Sequence, residues 1–449
     1  VRTLTASRYT RRRSGRPARQ HGSAPAQAAA TLLVAFVFVA LLRRLNITTV
    51  FEYLEMRYDH SVRLLGAVLS LLLKVFGRMS VVMLLPSMAL TSVTGLDVYR
   101  SIAVLGGATI TYAMLGGFVA VIWTDVFQFT VMFGGVALAL TYIVGAVPDG
   151  LAGIWRIGME HGKLNAISWE LDITQPTVWV FMGLMLRTVF MQLSDQSLMQ
   201  RVFSTPDVRS ARRTVALGAF LGLPGSILFF FVGTALFAFY QTHSPHPASL
   251  PNDAIFPFFI VNELPRGVVG LVIAGLFASA MGALSSDLNS SATIVVTDLL
   301  PLVRKHPTET LRLLVARSAT VAAGVAAALM AAYLASLNVD SLWDQILKLA
   351  ALIGGGIPGI FALGLLTRRA NASGVIAGAL TSIGVTGWIQ TATAVNVFFQ
   401  GFCAVVTCMI VGYVVSLCFP SAGRQRDLRG LTIWDPCEPP PQAIKSRGA

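Results

Sequence analysis

"GALSSDLNSSAT", Gly282 to Thr293, lies inside one of the most apolar stretches of this 449-residue chain, residues 267–299. Five hydroxyls, one carboxylate and one carboxamide crowd into it, where lipid-facing sequence would read Leu, Val and Ile. A polar group in hydrocarbon is costly unless something pairs with it. The stretch therefore reads as a membrane helix whose polar face turns inward. Ala278, Gly282, Ser286 and Ser290 recur every four residues, as do Gly275, Ser279 and Ala283. Small residues at that interval let two membrane helices approach closely. Serine hydroxyls can also bond back to carbonyls one turn earlier. Two readings stay open at this level: a tightly packed helix, or an oxygen-lined site.

The whole chain has the composition of a membrane protein. Hydrophobic residues make up 55%, charged residues 12%, and the mean hydropathy is +0.69. A soluble domain carries roughly twice that charge fraction, so the lipid bilayer is the solvent for most of this one. Eleven apolar segments are long enough, or nearly so, to span: 26–42, 65–91, 100–121, 126–147, 176–198, 214–240, 267–299, 316–337, 345–366, 372–390 and 397–418. With the C-terminus cytoplasmic, the inside loops and tail hold nineteen Lys and Arg and the outside loops four, as the positive-inside rule requires. A bacterial-type inner (plasma) membrane, a multi-pass domain over 26–418 and a cytoplasmic tail over 419–449 are the expectation. The net charge of +13 is thus an orientation signal, and no nucleic-acid partner is expected. Residues 1–25 depart from the alternation, with seven arginines and no acid; they read as a disordered or misread opening. Cys403, Cys408, Cys418 and Cys437 form no CxxC, and the six histidines are scattered. No nucleophile triad, HExxH, P-loop or dinucleotide fingerprint stands in a usable context. Neither an enzyme nor a cofactor-binding protein is expected.

Three further features carry chemistry. Arg78 lies at the centre of the second span with Lys74 one turn earlier. Lys74 can lean toward the cytoplasmic interface, whereas Arg78 is too deep to reach water cheaply. A buried guanidinium calls for a carboxylate: a protein group such as Asp195 or Asp287, or a solute. In the fifth span, Arg187 and Gln192 lie deep enough to line a solute cavity, while Asp195 is placed to cap a helix or pair with Arg201. "GGGIP", Gly354, Gly355, Gly356, Ile357 and Pro358, interrupts the ninth span and marks a candidate gating hinge.

Several stretches taken together resemble the sodium:solute symporter family. They are "TTVFEYLEMRYD" (48–59), "YAMLGGFVAVIWTDVFQ" (112–128), "SDQSLMQR" (194–201), "SSDLNSSATIVVTD" (285–298) and "GGGIPGIFALGLLTRRANASGVIAG" (354–378). The resemblance implies an all-α polytopic bundle with the LeuT-like inverted repeat, whose ion and solute sites lie at the midplane between interrupted helices. About eleven transmembrane helices would be present. The family's leading helix and first core helix have no counterpart in the matched order, so an N-terminally truncated chain is expected. In the family, the aspartate of the "WTD" motif and two hydroxyls of the eighth core helix form a sodium site; those positions are Asp125, Ser285 and Ser286. A second family site takes hydroxyls where this chain has Gly282 and Ala283, so only backbone near Ser279 and Gly282 is left to contribute there. Arg78 matches the arginine that grips the solute carboxylate in sialic-acid-transporting members. Sodium-coupled symport of a small polar solute, such as sialic acid or another sugar acid, is the function implied, with sodium as coupling ion. A degenerate, non-transporting homologue acting as a sensor or membrane subunit is the alternative.

Overall fold

The computed structural model describes residues 23–164, 172–174, 177–243, 255–337, 348, 351–352, 354–419 and 428–434, and every regular element among them is helical. Helix α1 runs from Ser23–Leu33 through a π turn, Val34–Phe38, into Val39–Arg44. It starts three residues before the expected span, and Arg43 and Arg44 in its last turn suit the negative end of the helix dipole. The short α2, Val50–Arg57, is fixed by a capping box between Thr49 and Glu52. Helix α3 joins His60–Leu72, a π segment Leu73–Met79 and Ser80–Thr94. It ends on Gly95, whose φ of +69° is the left-handed stop that a side chain would resist.

Helix α4, Val98–Ala146, is one unbroken helical run where two spans were expected. Straight, it would be about 74 Å long, more than twice a hydrocarbon core. It carries two apolar spans all the same, Val98–Gly116 and Val121–Ala146. Tyr112 donates its hydroxyl to Met281 O at 2.8 Å, and Gln128 Oε1 stands 2.6 Å from the Cβ position of the next residue, Gly282, although a straight helix would set residues 112 and 128 about 24 Å apart. The run therefore reverses direction between them, and the two-span reading holds in space.

The remaining helices are α5 (Gly150–Glu160), α6 (Val178–Ser194), α7 (Gln196–Phe203), α8 (Val208–Thr242) and α9 (Ile255–Glu263). Helix α10 runs over Arg266–Ile294 and continues through a π turn, Val295–Leu299, to Val303; α11 is Glu309–Ser336, α12 Gly356–Leu366, α13 Ala372–Ala392 and α14 Val397–Cys418. Nine stretches of the described residues are long and apolar enough to span a membrane, and α6 and α12 are shorter apolar helices at two more expected positions.

Among the described residues, the three largest of four apolar clusters hold most of the bundle. One joins α1, α2, α6, α12 and α13 around Phe51, Tyr53 and Phe361. A second packs the end of α4 with α8, α9 and the start of α10. A third joins α3, the start of α4, the middle of α10 and α11. Helix α10 contributes to all three, through Ile294 to the first, Val272 to the second, and Leu284 and Leu288 to the third. After α14 the segment 428–434 returns to the bundle. Ile433 N–H donates to Leu365 O at 3.1 Å, and Trp434 Nε1 to Leu366 O at 2.7 Å, satisfying carbonyls at the end of α12. The expected tail is therefore partly docked; residues 1–22 and 435–449 lie outside the described residues.

Candidate ion and solute site

Helices α4 and α10 meet along a seam of glycines. A Cβ on Gly135 would lie 3.2 Å from Val272 Cα, and one on Gly275 3.2 Å from Met132 Cα, so the backbones touch. Further along the same seam stands Asp125. Its Oδ2 accepts a 2.6 Å hydrogen bond from Arg201 Nη2, and the same nitrogen donates to Ser286 Oγ at 2.7 Å. Asp125 and Ser286 thus converge on one point, as expected, and a guanidinium nitrogen occupies it. Asp125 Oδ1 is turned toward Gly282, 3.0 Å from where its Cβ would be. Ser285 is buried and its hydroxyl donates back to Gly282 O at 3.1 Å. Ser279 is exposed one turn before Gly282. Of the two expectations for Asp195, a helix cap or a pair with Arg201, the cap forms, and Arg201 pairs instead with Asp125 on α4.

Asp195 has other partners. It caps α7 by accepting from Ser197 N–H at 2.9 Å and joins a charge cluster between α3, α7 and α10. Lys74 Nζ donates to Asp195 Oδ1 and Asp287 Oδ1, both at 3.0 Å, and to Ser197 Oγ. Arg78 lies 3.2 Å from Asp195 Oδ2 and 3.2 Å from Asp287 Oδ2. Ser197 Oγ donates to Asp287 Oδ1 at 2.9 Å. Two cations and two carboxylates therefore neutralise each other inside the bundle. Lys74 does not lean to the interface; its side chain is 6% exposed, because buried carboxylates on two helices satisfy it better than a strained reach to water. Arg78 takes the internal-pair alternative, yet 43% of its side chain stays exposed.

Arg187 is buried with its Nε unpartnered among the described residues, and it packs on the bare backbone of Gly401. Gln192 Nε2 donates to Thr31 Oγ1 at 2.8 Å, and its buried Oε1 has no partner among the described residues. Neither touches Arg78. The "GGGIP" break falls at Gly354–Gly355, and helix resumes at Gly356. Pro358 then sits in a first turn, where its missing N–H costs nothing. The glycines also seat α12 against its neighbours: Cβ atoms on Gly355 and Gly359 would strike Ala404 and Cys408.

A polar link outside the sequence expectations ties the C-terminal end of α10 to α2 and α3. Thr49 Oγ1 and Arg63 Nε both donate to Asp298 Oδ1, at 2.9 and 2.7 Å. Arg63 Nη1 reaches Glu55 Oε2 at 2.6 Å. Only the depth of Asp298 in an apolar run hints at it.

Bare glycine seams and buried charges between broken, apolar helices define a polytopic helical membrane protein. Residues 23–382 match the model of the sodium:solute symporter family, and the chain belongs to that family. It is 33% identical over 393 residues to a sodium/sialic acid symporter, NanT, of Aliivibrio fischeri, covering 86% of this chain and 77% of that one. It is 32% identical to the sodium/sialic acid symporter SiaT of Proteus mirabilis, covering 87% and 79%. The fold superposes with a TM-score of 0.82 on a substrate-bound, outward-open Na+-coupled sialic acid symporter, at 29% identity over 91% of this chain and 86% of that one. Inward-facing Mhp1 shares the fold at 15% identity and a TM-score of 0.55, over 91% and 87% of the two chains.

Proposed function

We propose that this chain moves a carboxylate-bearing sugar acid, sialic acid foremost, across the membrane together with sodium, and that Asp125, Ser285 and Ser286 ligate the ion. One observation carries the reading: Asp125 and Ser286 already hold a positive nitrogen between them at 2.6 and 2.7 Å. Carboxylate and hydroxyl oxygens aimed at one point are what a hard cation prefers. Arg201 and sodium then compete for this carboxylate, so the ion displaces the guanidinium as it enters. Backbone near Ser279 and Gly282 lies on the same face. Arg78 receives the solute carboxylate, and Gln192 and Arg187 contribute polar groups deeper in the bundle. Bending at Gly354–Gly356 and Pro358 gates the cavity, in the alternating-access cycle of such folds. The similarity to two sodium/sialic acid symporters supports the solute class, and the basic loops support a cytoplasmic C-terminus.

The test is uptake of radiolabelled sialic acid into proteoliposomes under an inward sodium gradient. Parent protein should accumulate it, and Asp125→Asn should abolish the sodium stimulation. Equal uptake with and without sodium, or an unaffected Asp125→Asn, overturns the reading.

A further inference from the structure

Gln128 follows Asp125 by three residues on α4, so the two side chains share a helix face. Its residue is 9% exposed, and among the described residues its buried Oε1 has no hydrogen-bond partner. A buried amide oxygen left without a donor is costly and asks for a reason. The Tyr112 hydroxyl donates to Met281 O at 2.8 Å, tying the first half of α4 to α10 beside this amide, whose oxygen is turned toward α10. There, Oε1 stands 2.6 Å from the place a Cβ on Gly282 would occupy, and Asp125 Oδ1 stands 3.0 Å from the same place. Two oxygens of α4 share the notch that one glycine opens in α10. Arg201 engages the other carboxylate oxygen, Oδ2.

We propose that the Gln128 amide oxygen is a further ligand of the coupling cation beside Asp125, and that Gly282 is the residue that admits it. The proposal rests on Asp125 being the ion site. A neutral carbonyl oxygen adds a hard donor without adding charge, so the site keeps one carboxylate and suits a monovalent ion. A second carboxylate at 128 would suit a divalent one.

Binding of radiolabelled sodium to the purified full chain tests this without any solute. Gln128→Leu, close in shape but lacking the oxygen, should weaken sodium binding roughly tenfold or more, the scale of one contact to a charged group. Gln128→Glu should retain sodium binding and gain competition by calcium. Gly282→Ala, whose methyl displaces both oxygens, should weaken binding as the Leu variant does. Parent-like binding by Gln128→Leu, or equal losses in the Leu and Glu variants, overturns the proposal. Should the Leu variant not fold, calcium competition in Gln128→Glu decides alone, and its absence overturns the proposal. Asp125→Asn separates the two claims: loss there with parent-like Gln128→Leu leaves the ion site standing without this ligand. Parent-like binding by Asp125→Asn removes both.

Discussion

Asp287 is the carboxylate on which most of the intramembrane charge depends, and replacing it by Asn isolates that dependence. Its side chain is 1% exposed and lies within 3.0 Å of Lys74 Nζ and 3.2 Å of Arg78 Nε. At an effective dielectric constant of 20, a unit pair 3.0 Å apart attracts by about 5.5 kcal/mol, most of which offsets desolvation. Removing one member of a buried pair is worse than removing both, because the survivor stays buried without its counter-charge; the usual cost is about 3–5 kcal/mol. Asp287→Asn leaves Asp195 to hold two cations, so we expect that loss. At roughly 2 °C per kcal/mol, the lower end for large chains, melting should fall by about 6–10 °C. Tryptophan fluorescence of the detergent-purified protein reads it. Lys74→Met removes one of the cations and leaves Arg78 to two carboxylates. The double variant keeps a neutral Arg78–Asp195 pair and should lose less than the sum of the singles. A melt of Asp287→Asn within a degree of the parent would refute the reasoning, as would strictly additive losses.

Two more outcomes follow from the packing. Arg57 is buried and donates to three backbone carbonyls, Gly364 O, Thr367 O and Ala370 O. Arg57→Lys reaches at most one or two of them and should cost about 2–4 kcal/mol of thermal stability, at roughly 1.5–3 kcal/mol per charge-assisted bond. A Cβ on Gly378 would lie 2.5 Å from Cys408 O and 2.9 Å from Gly412 Cα, whereas Gly384 has nothing within 4 Å. Gly378→Val should therefore force α13 from α14 and cost at least about 1–3 kcal/mol, while Gly384→Ala melts at or slightly above the parent temperature.

The apolar spans could be read from the chain because length and hydropathy decide them without help from tertiary contacts. Gly275 and Gly282 marked the close seam correctly, for a missing side chain is itself visible in sequence. Asp125, Ser285 and Ser286 stand out only through a family pattern, and in the structure Asp125 and Ser286 share the Arg201 guanidinium. Spacing offers Asp195 a helix cap or Arg201; the cap forms, and Arg201 goes to Asp125. That carboxylate is 76 residues away, and no periodicity links two positions on separate helices. Lys74 was misjudged for the same reason: its environment is built by α7 and α10, not by α3. Gln128 was legible in part, since three residues from Asp125 is one helical face, but its empty oxygen is a property of the fold. The docked segment 428–434 gave no signal beyond a few apolar residues in a polar tail.

The Lys74 cluster also bears on how the chain reaches the membrane. Lys74 is separated from Asp195 by 121 residues and from Asp287 by 213. Ribosomes add about 5–20 residues per second, so the last carboxylate is polymerised about 10–40 s after the lysine. The second span therefore emerges before either counter-charge exists, its two cations each penalised by about 2.5–3.5 kcal/mol at mid-helix. Its leucine-rich flanks must outweigh both. Insertion of this span is therefore the vulnerable step in biogenesis, one at which nascent chains await their counter-ions.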